Sequence, residues 1–162
     1  MNKKMNRRSA FRKKLRPLPE FKYDIETSMK FLLSCAKQRK FISFIEFNRF
    51  YKIPDQGWAL VYPLLYRHLN LVLKYCFENN YPPLSVLVVA RDMKQSGEMT
   101  QRQITRLSKA LSKYQGKSSS PTDEVRDMNG LHKLQNLCFE SAPNITIPKK
   151  YNIKQFNENI RP

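Results

Sequence analysis

Tyr81-Pro82-Pro83-Leu84-Ser85-Val86-Leu87-Val88-Val89, followed by Arg91-Asp92 and then Gly97, opens with a pair of prolines that forbid helix. The run behind them is apolar and rich in β-branched side chains. It predicts a buried strand over residues 84–89 and a turn over residues 92–97. On both sides of this stretch the pattern is helical.

Upstream, Pro17 and Pro19 close a basic leader, and Asp24 can cap a helix whose apolar positions are Ile25, Met29, Leu32, Leu33 and Ala36. That helix ends near Gln38. A short strand-like step, Phe41-Ile42-Ser43, comes next. Ser43 and Glu46 stand three apart as a capping box, so a second helix starts at Phe44 and buries Phe44, Phe47, Phe50 and Tyr51. Pro54 stops it, and residues 53–57 form a tight turn. Trp58, Val61, Leu65, Leu69, Val72 and Cys76 then recur at helical spacing, with Pro63 moving the expected start of this third helix toward Tyr62.

Downstream, Thr100 and Gln103 form a second capping-box pair, opening a helix that runs to Tyr114. Ile104, Leu107, Leu111 and Tyr114 share one side of it. Arg102, Arg106, Lys109 and Lys113 line the other as a basic stripe. Residues 116–121 carry three serines and read as a flexible connector, and a last helix starts at Val125 or Gly130 and runs to Phe139. The fold class is mainly α with a small β element. One domain is expected: a basic disordered arm over residues 1–19, a core over 20–115, a linker and short C-terminal helix over 116–140, and a loose tail over 141–162.

The order of helix, short step, helix, turn, helix, strand and turn follows a winged helix-turn-helix, in which the turn after the strand is the wing. The combination of Ile42-Ser43-Phe44 with Glu46, and of Pro82-Pro83-Leu84-Ser85-Val86-Leu87-Val88-Val89 with Gly97, resembles a group of small, poorly characterised bacterial and mobile-element proteins. These carry an isoleucine-threonine-tyrosine step and a proline-proline-leucine-threonine-x-leucine-valine-valine strand. The resemblance covers residues 40–97 and implies a winged-helix-like fold, distantly similar to the DNA-binding half of alkyltransferases. Where that group has a polar turn with two glycines and a proline, Met93-Lys94-Gln95-Ser96-Gly97 keeps one glycine. The alkyltransferase comparison implies no activity here. Its proline-cysteine-histidine-arginine nucleophile run has no counterpart, and Cys76 sits between Tyr75 and Phe77 on an apolar helical face.

Charge points to a polyanionic partner. Thirty Lys and Arg against thirteen Asp and Glu give a formal net charge of +17, an excess that attracts nucleic acid first and an anionic membrane surface second. It is concentrated in two places. Lys3, Lys4, Arg7, Arg8, Arg12, Lys13, Lys14 and Arg16 crowd the arm with no acid before Glu20, and the stripe from Arg102 to Lys113 has none either. Arg67 with His68, near the start of the expected recognition helix, and Arg91 with Lys94, in the expected wing, complete the nucleic-acid-binding set. Trp58, Tyr62 and Tyr66 beside them could stack on bases or pack in the core.

The sequence argues against other classes. Three cysteines, Cys35, Cys76 and Cys138, are widely spaced in apolar helical stretches, which disfavours a disulfide framework and suits a reducing cytoplasm, with association to the nucleoid if the partner is DNA. His68 and His132 have no zinc spacing with any cysteine. No Gly-rich phosphate loop, paired catalytic carboxylates or nucleophile elbow occurs, so no enzyme, metal or cofactor is expected. No apolar run is long enough for a membrane span, and the arm lacks an interfacial apolar face. An Arg-rich, acid-poor start also suits an organelle transit peptide, but its serines are few. The expectation is a non-enzymatic nucleic-acid binder, DNA favoured over RNA, encoded by a mobile element. The alternative is a protein-interaction module acting as inhibitor or adaptor on a host nucleoprotein complex.

Overall fold

The computed structural model describes residues 23–54, 58–114 and 125–147. Their order is α1 (Ile25–Lys37), β1 (Ile42–Ser43), α2 (Phe44–Phe50), α3 (Trp58–Glu78), β2 (Val88–Val89), α4 (Gln101–Tyr114) and α5 (Met128–Ser141), with short 3₁₀ turns between and after them. The protein is mainly helical around one small sheet.

Local chemistry starts the helices where the sequence places them. The Asp24 carboxylate accepts from the Thr27 amide at 2.7 Å at the head of α1. Ser43 Oγ accepts from the Glu46 amide at 3.2 Å, and Glu46 Oε2 accepts from the Ser43 amide at 2.9 Å, so two of the orphan donors at the start of α2 are satisfied reciprocally. Gln103 and Thr100 repeat the device at α4, with Gln103 Oε1 accepting from the Thr100 amide at 2.8 Å.

The first three helices end alike. Arg39, Lys52 and Asn80 take left-handed backbone angles, with φ of 54°, 56° and 55°. Each lets the following amide reach back five residues, Lys40 to Cys35, Ile53 to Asn48 and Tyr81 to Cys76, at 3.0, 3.0 and 2.8 Å. Three strained non-glycine caps do the work that glycine does in many helices, in a chain that has only four glycines.

Three expectations need correction. Residues 84–89 are not one strand: Leu84–Leu87 wind into a 3₁₀ turn, and only Val88 and Val89 are extended. All but Ser85 are buried. With no polar face to alternate, the apolar run carries no period that separates strand from tight helix. Second, β2 pairs with β1 in parallel, Ile42 opposite Val88 and Ser43 opposite Val89, with α2 and α3 as the crossover. The chain therefore leaves the sheet through a 3₁₀ turn at Arg91–Met93 instead of folding back as the arm of a wing. Third, α3 starts at Trp58, and Pro63 lies inside it. Pro63 and Ala59 are both exposed, so the Ala59 carbonyl that loses its helical partner faces water.

The core is continuous across all five helices. Met29, Leu32 and Ala36 of α1 meet Leu65, Val72 and Cys76 of α3 around Leu84, Val86 and Leu87, and Ile104, Leu111, Leu131 and Cys138 close it from α4 and α5. α5 is thus part of the body and not an appendage of a linker. It is capped by Asp127, whose carboxylate accepts from the Gly130 amide at 2.9 Å. Its buried Gln135 donates from Nε2 to the carbonyls of Val86 at 3.2 Å and Gly97 at 2.8 Å. Packing continues through the first residues of the expected tail: Ala142 and Ile145 are buried, and the Tyr81 hydroxyl donates to the Thr146 carbonyl at 3.3 Å.

Candidate nucleic-acid interface

Helix α4 presents the stripe. Ile104 and Leu111 are buried and Leu107 packs against the core, which leaves Arg102, Lys109 and Lys113 exposed on the opposite face. Arg106 is half-buried at the edge of that face. Its guanidinium sits over the Tyr66 ring of α3, 5.7 Å from the centroid, a cation–π contact that joins the stripe to the third helix. α4 contains no acidic residue, so nothing on the helix offsets its charge.

A groove runs beside the stripe. Phe44 from α2, Tyr62 from α3, Ala90 and Arg91 from the turn after β2, and Gln103 from α4 line a surface recess of about 270 Å³. Phe44, Tyr62 and Gln103 also line a narrower apolar cleft that reaches down past Tyr66 and Asn70 to Val88 and Leu107. Phe44 and Tyr62 meet edge to face at 5.5 Å, and Tyr66 stands 6.3 Å from Tyr62. Burial raises the Tyr66 pKa, and the Arg106 charge beside it and a hydrogen bond from Asn70 act the other way.

The other expected contacts divide. Arg67 and Arg91 are exposed. Lys94 pairs its ammonium with the Glu46 carboxylate, so its charge is largely offset within the fold. Burial alone would raise the Glu46 pKa, but hydrogen bonds from Lys94 and Ser43 hold it below the ordinary carboxylate value. Lys3, Lys4, Arg7, Arg8, Arg12, Lys13, Lys14 and Arg16 lie outside the described residues, as does the Trp58 side chain.

His68 is a correction. It is 5% exposed, one helical residue from Arg67 but turned inward, where its ring stacks on Tyr23 at 4.8 Å. Its Nε2 lies 2.7 Å from the Ser28 hydroxyl. Ser28 also bonds the Tyr51 hydroxyl, which donates to the Asp24 carbonyl at 2.8 Å. That order sets the protons: Tyr51 donates to Asp24, Ser28 donates to Tyr51, and His68 donates from Nε2 to Ser28. Desolvation pushes His68 down to about 4, with Asp24 opposing, so it is neutral at pH 7. Serine and histidine at this distance resemble a nucleophile and its base, but Ser28 is fully buried and no substrate can reach it. The group knits α1, α2 and α3 together instead.

Two of the three thiols are placed as core, and Cys35 is half-buried. Cys76 and Cys138 are buried; desolvation takes Cys76 to about 12 and raises Cys138 as well, so neither is a nucleophile. Among the described residues, no group of three His, Cys, Asp or Glu side chains could hold a metal ion, and no helix is long and apolar enough to cross a membrane.

The stripe is legible in the sequence; the groove and the His68 network are not. The i,i+4 pair Tyr62 and Tyr66 was the one local signal for the groove; Phe44 and Gln103 join it from distant elements. Compared with known proteins, the chain matches no protein-family model, no curated protein and no solved structure.

Proposed function

We propose that this protein is a non-enzymatic nucleic-acid binder, with DNA as the first partner, in which α2 and α3 serve as a helix-turn-helix pair without the expected wing. The observation that carries the reading is the single-signed outer face of α4, with Arg102, Arg106, Lys109 and Lys113 on one side and apolar residues on the other. Lysines and arginines placed this way exchange condensed counterions for phosphates, and the basic arm adds to the same term. Surface helices ordinarily mix both signs, which a solubilising role alone would satisfy.

Binding of a random DNA duplex across a salt series tests it. Affinity falling by about a thousandfold or more between 50 and 200 mM salt is the expected result for six to ten neutralised phosphates. Binding of neither that duplex nor a single strand, or binding insensitive to salt, overturns the proposal.

A second reading, an interaction module acting as inhibitor or adaptor on a host nucleoprotein complex, is favoured by Phe50. It is 43% exposed and stacks on Phe31 at 4.0 Å, presenting an aromatic pair to solvent. Pull-down from nuclease-treated lysate separates the two, since a partner that survives the treatment is held by protein contacts.

A further inference from the structure

We infer that the groove between α3 and α4 is a site for an unpaired nucleobase, so that the nucleic acid this protein prefers is single-stranded or locally opened. The inference rests on the nucleic-acid reading above and names the strand state that reading leaves open.

Three features of the groove converge on one ligand chemistry. Its walls are aromatic: Phe44, Tyr62 and Tyr66 approach from two helices. Two cations stand by it: Arg91 lines the recess, and Arg106 is held over the ring of Tyr66, which lines the cleft. No described residue lining the recess or the cleft carries a carboxylate. A duplex presents phosphates to a protein but keeps its base faces stacked, so it can use the arginines and not the aromatic walls. An apolar peptide side chain can use the walls and not the arginines. An unstacked nucleotide uses both, since every base has a π face and every nucleotide carries a phosphate.

The polar groups fit the same occupant. Gln103 commits its Oε1 to the Thr100 amide and hydroxyl, at 2.8 and 3.1 Å. What it can offer a ligand is its two Nε2 hydrogens, and the ring nitrogens and carbonyl oxygens on base edges accept such donors. The recess, at about 270 Å³, sits just under the range of about 300–1,000 Å³ typical of small-molecule sites, a size suited to one base and not to a helix of duplex.

The test compares three ligands at one salt concentration by fluorescence anisotropy: oligodeoxythymidylate of about 15 nucleotides, an abasic deoxyribose-phosphate strand of equal length, and a duplex of equal length. The thymidylate strand is expected to bind about tenfold or more tighter than the abasic strand, the scale of one base stacked on an aromatic side chain. Tyr62→Leu should bring that ratio close to one without weakening the abasic strand, and Tyr62→Phe should preserve it. Equal binding of the thymidylate and abasic strands by the unmodified protein overturns the base site while leaving the phosphate reading standing. So does tighter binding of the duplex. Failure of all three ligands to bind overturns both. Photocrosslinking of a 5-bromodeoxyuridine strand to the unmodified protein, independent of how any variant folds, should place the adduct on Tyr62 or Tyr66; an adduct confined to other residues overturns the inference.

Discussion

The Ser28 hydroxyl and His68 Nε2 lie 2.7 Å apart inside the body, one from the first turns of α1 and the other from the middle of α3. Burial at this position keeps the imidazole neutral. An unfolded chain takes up a proton on His68 below about 6.5, and the folded chain resists it until about 4. The unfolded state therefore binds more protons in that interval. Stability from this group is complete above pH 6.5, falls as the pH drops toward 4, and is level below. The gap from 6.5 to about 4, at about 1.4 kcal/mol per unit, makes the loss on the order of 3 kcal/mol. Urea midpoints between pH 7.5 and 4 should show the decline, and His68→Gln should flatten it. An unchanged slope in that variant refutes the assignment.

Lys52 ends α2 with a φ of 56° and an exposed side chain. The left-handed region costs a side-chain-bearing residue about 1–2 kcal/mol, of which glycine gives part back through its freer unfolded chain. Lys52→Gly should raise unfolding stability by about 0.5–1 kcal/mol, and Lys52→Ala should not. Chemical denaturation of the three proteins side by side decides the point.

Glu46 serves two partners. One oxygen completes the α2 capping box with Ser43 and the other pairs with Lys94 from the turn after β2. Loss of the cap should dominate: Glu46→Ala is expected to cost about 1–2 kcal/mol, and Lys94→Met under about 1 kcal/mol, because the ion pair is half in water. A double-mutant cycle in urea measures the coupling, and a Lys94 effect equal to the Glu46 effect would contradict this ranking.

Gly97 has a φ of 72°, and a Cβ built there would stand 2.2 Å from the tip of the Phe41 ring. Gly97→Ala should cost about 2 kcal/mol or more, from the clash and the backbone together. Pairing it with Phe41→Leu should recover the clash share and leave a deficit of about 1 kcal/mol from the backbone. Thermal unfolding of the single and double variants, each against its own parent, separates the two parts.

How much of this could be read in the chain depended on the range of the interaction. Asp24, Ser43 with Glu46, and Thr100 with Gln103 act within one helical turn, and all three caps formed where their spacing places them. The alternation of Ile104 and Leu111 with Arg102 and Lys109 likewise carried the stripe. His68 could not be read that way, because its burial is decided by Ser28, forty residues away, and by Tyr23 and Tyr51. The groove was hidden for the same reason, since Phe44, Tyr62 and Gln103 meet only after three helices have packed. Leu84 to Val89 failed differently: a run buried on every side is apolar whichever way its backbone winds.

Gln135 has a consequence for the order in which the molecule can be made. Its one amide group holds carbonyls at residues 86 and 97, both far upstream on the chain. While the polypeptide is being synthesised, those carbonyls and the apolar surface that α5 covers wait for their partner until residue 135 has cleared the ribosome. At about 5–20 residues per second, the interval between residues 97 and 135 lasts seconds. During that time the α5 side of Leu84, Val86 and Leu87 has no cover, and a chain released before α5 would leave that apolar surface open to whatever binds apolar segments in the cell.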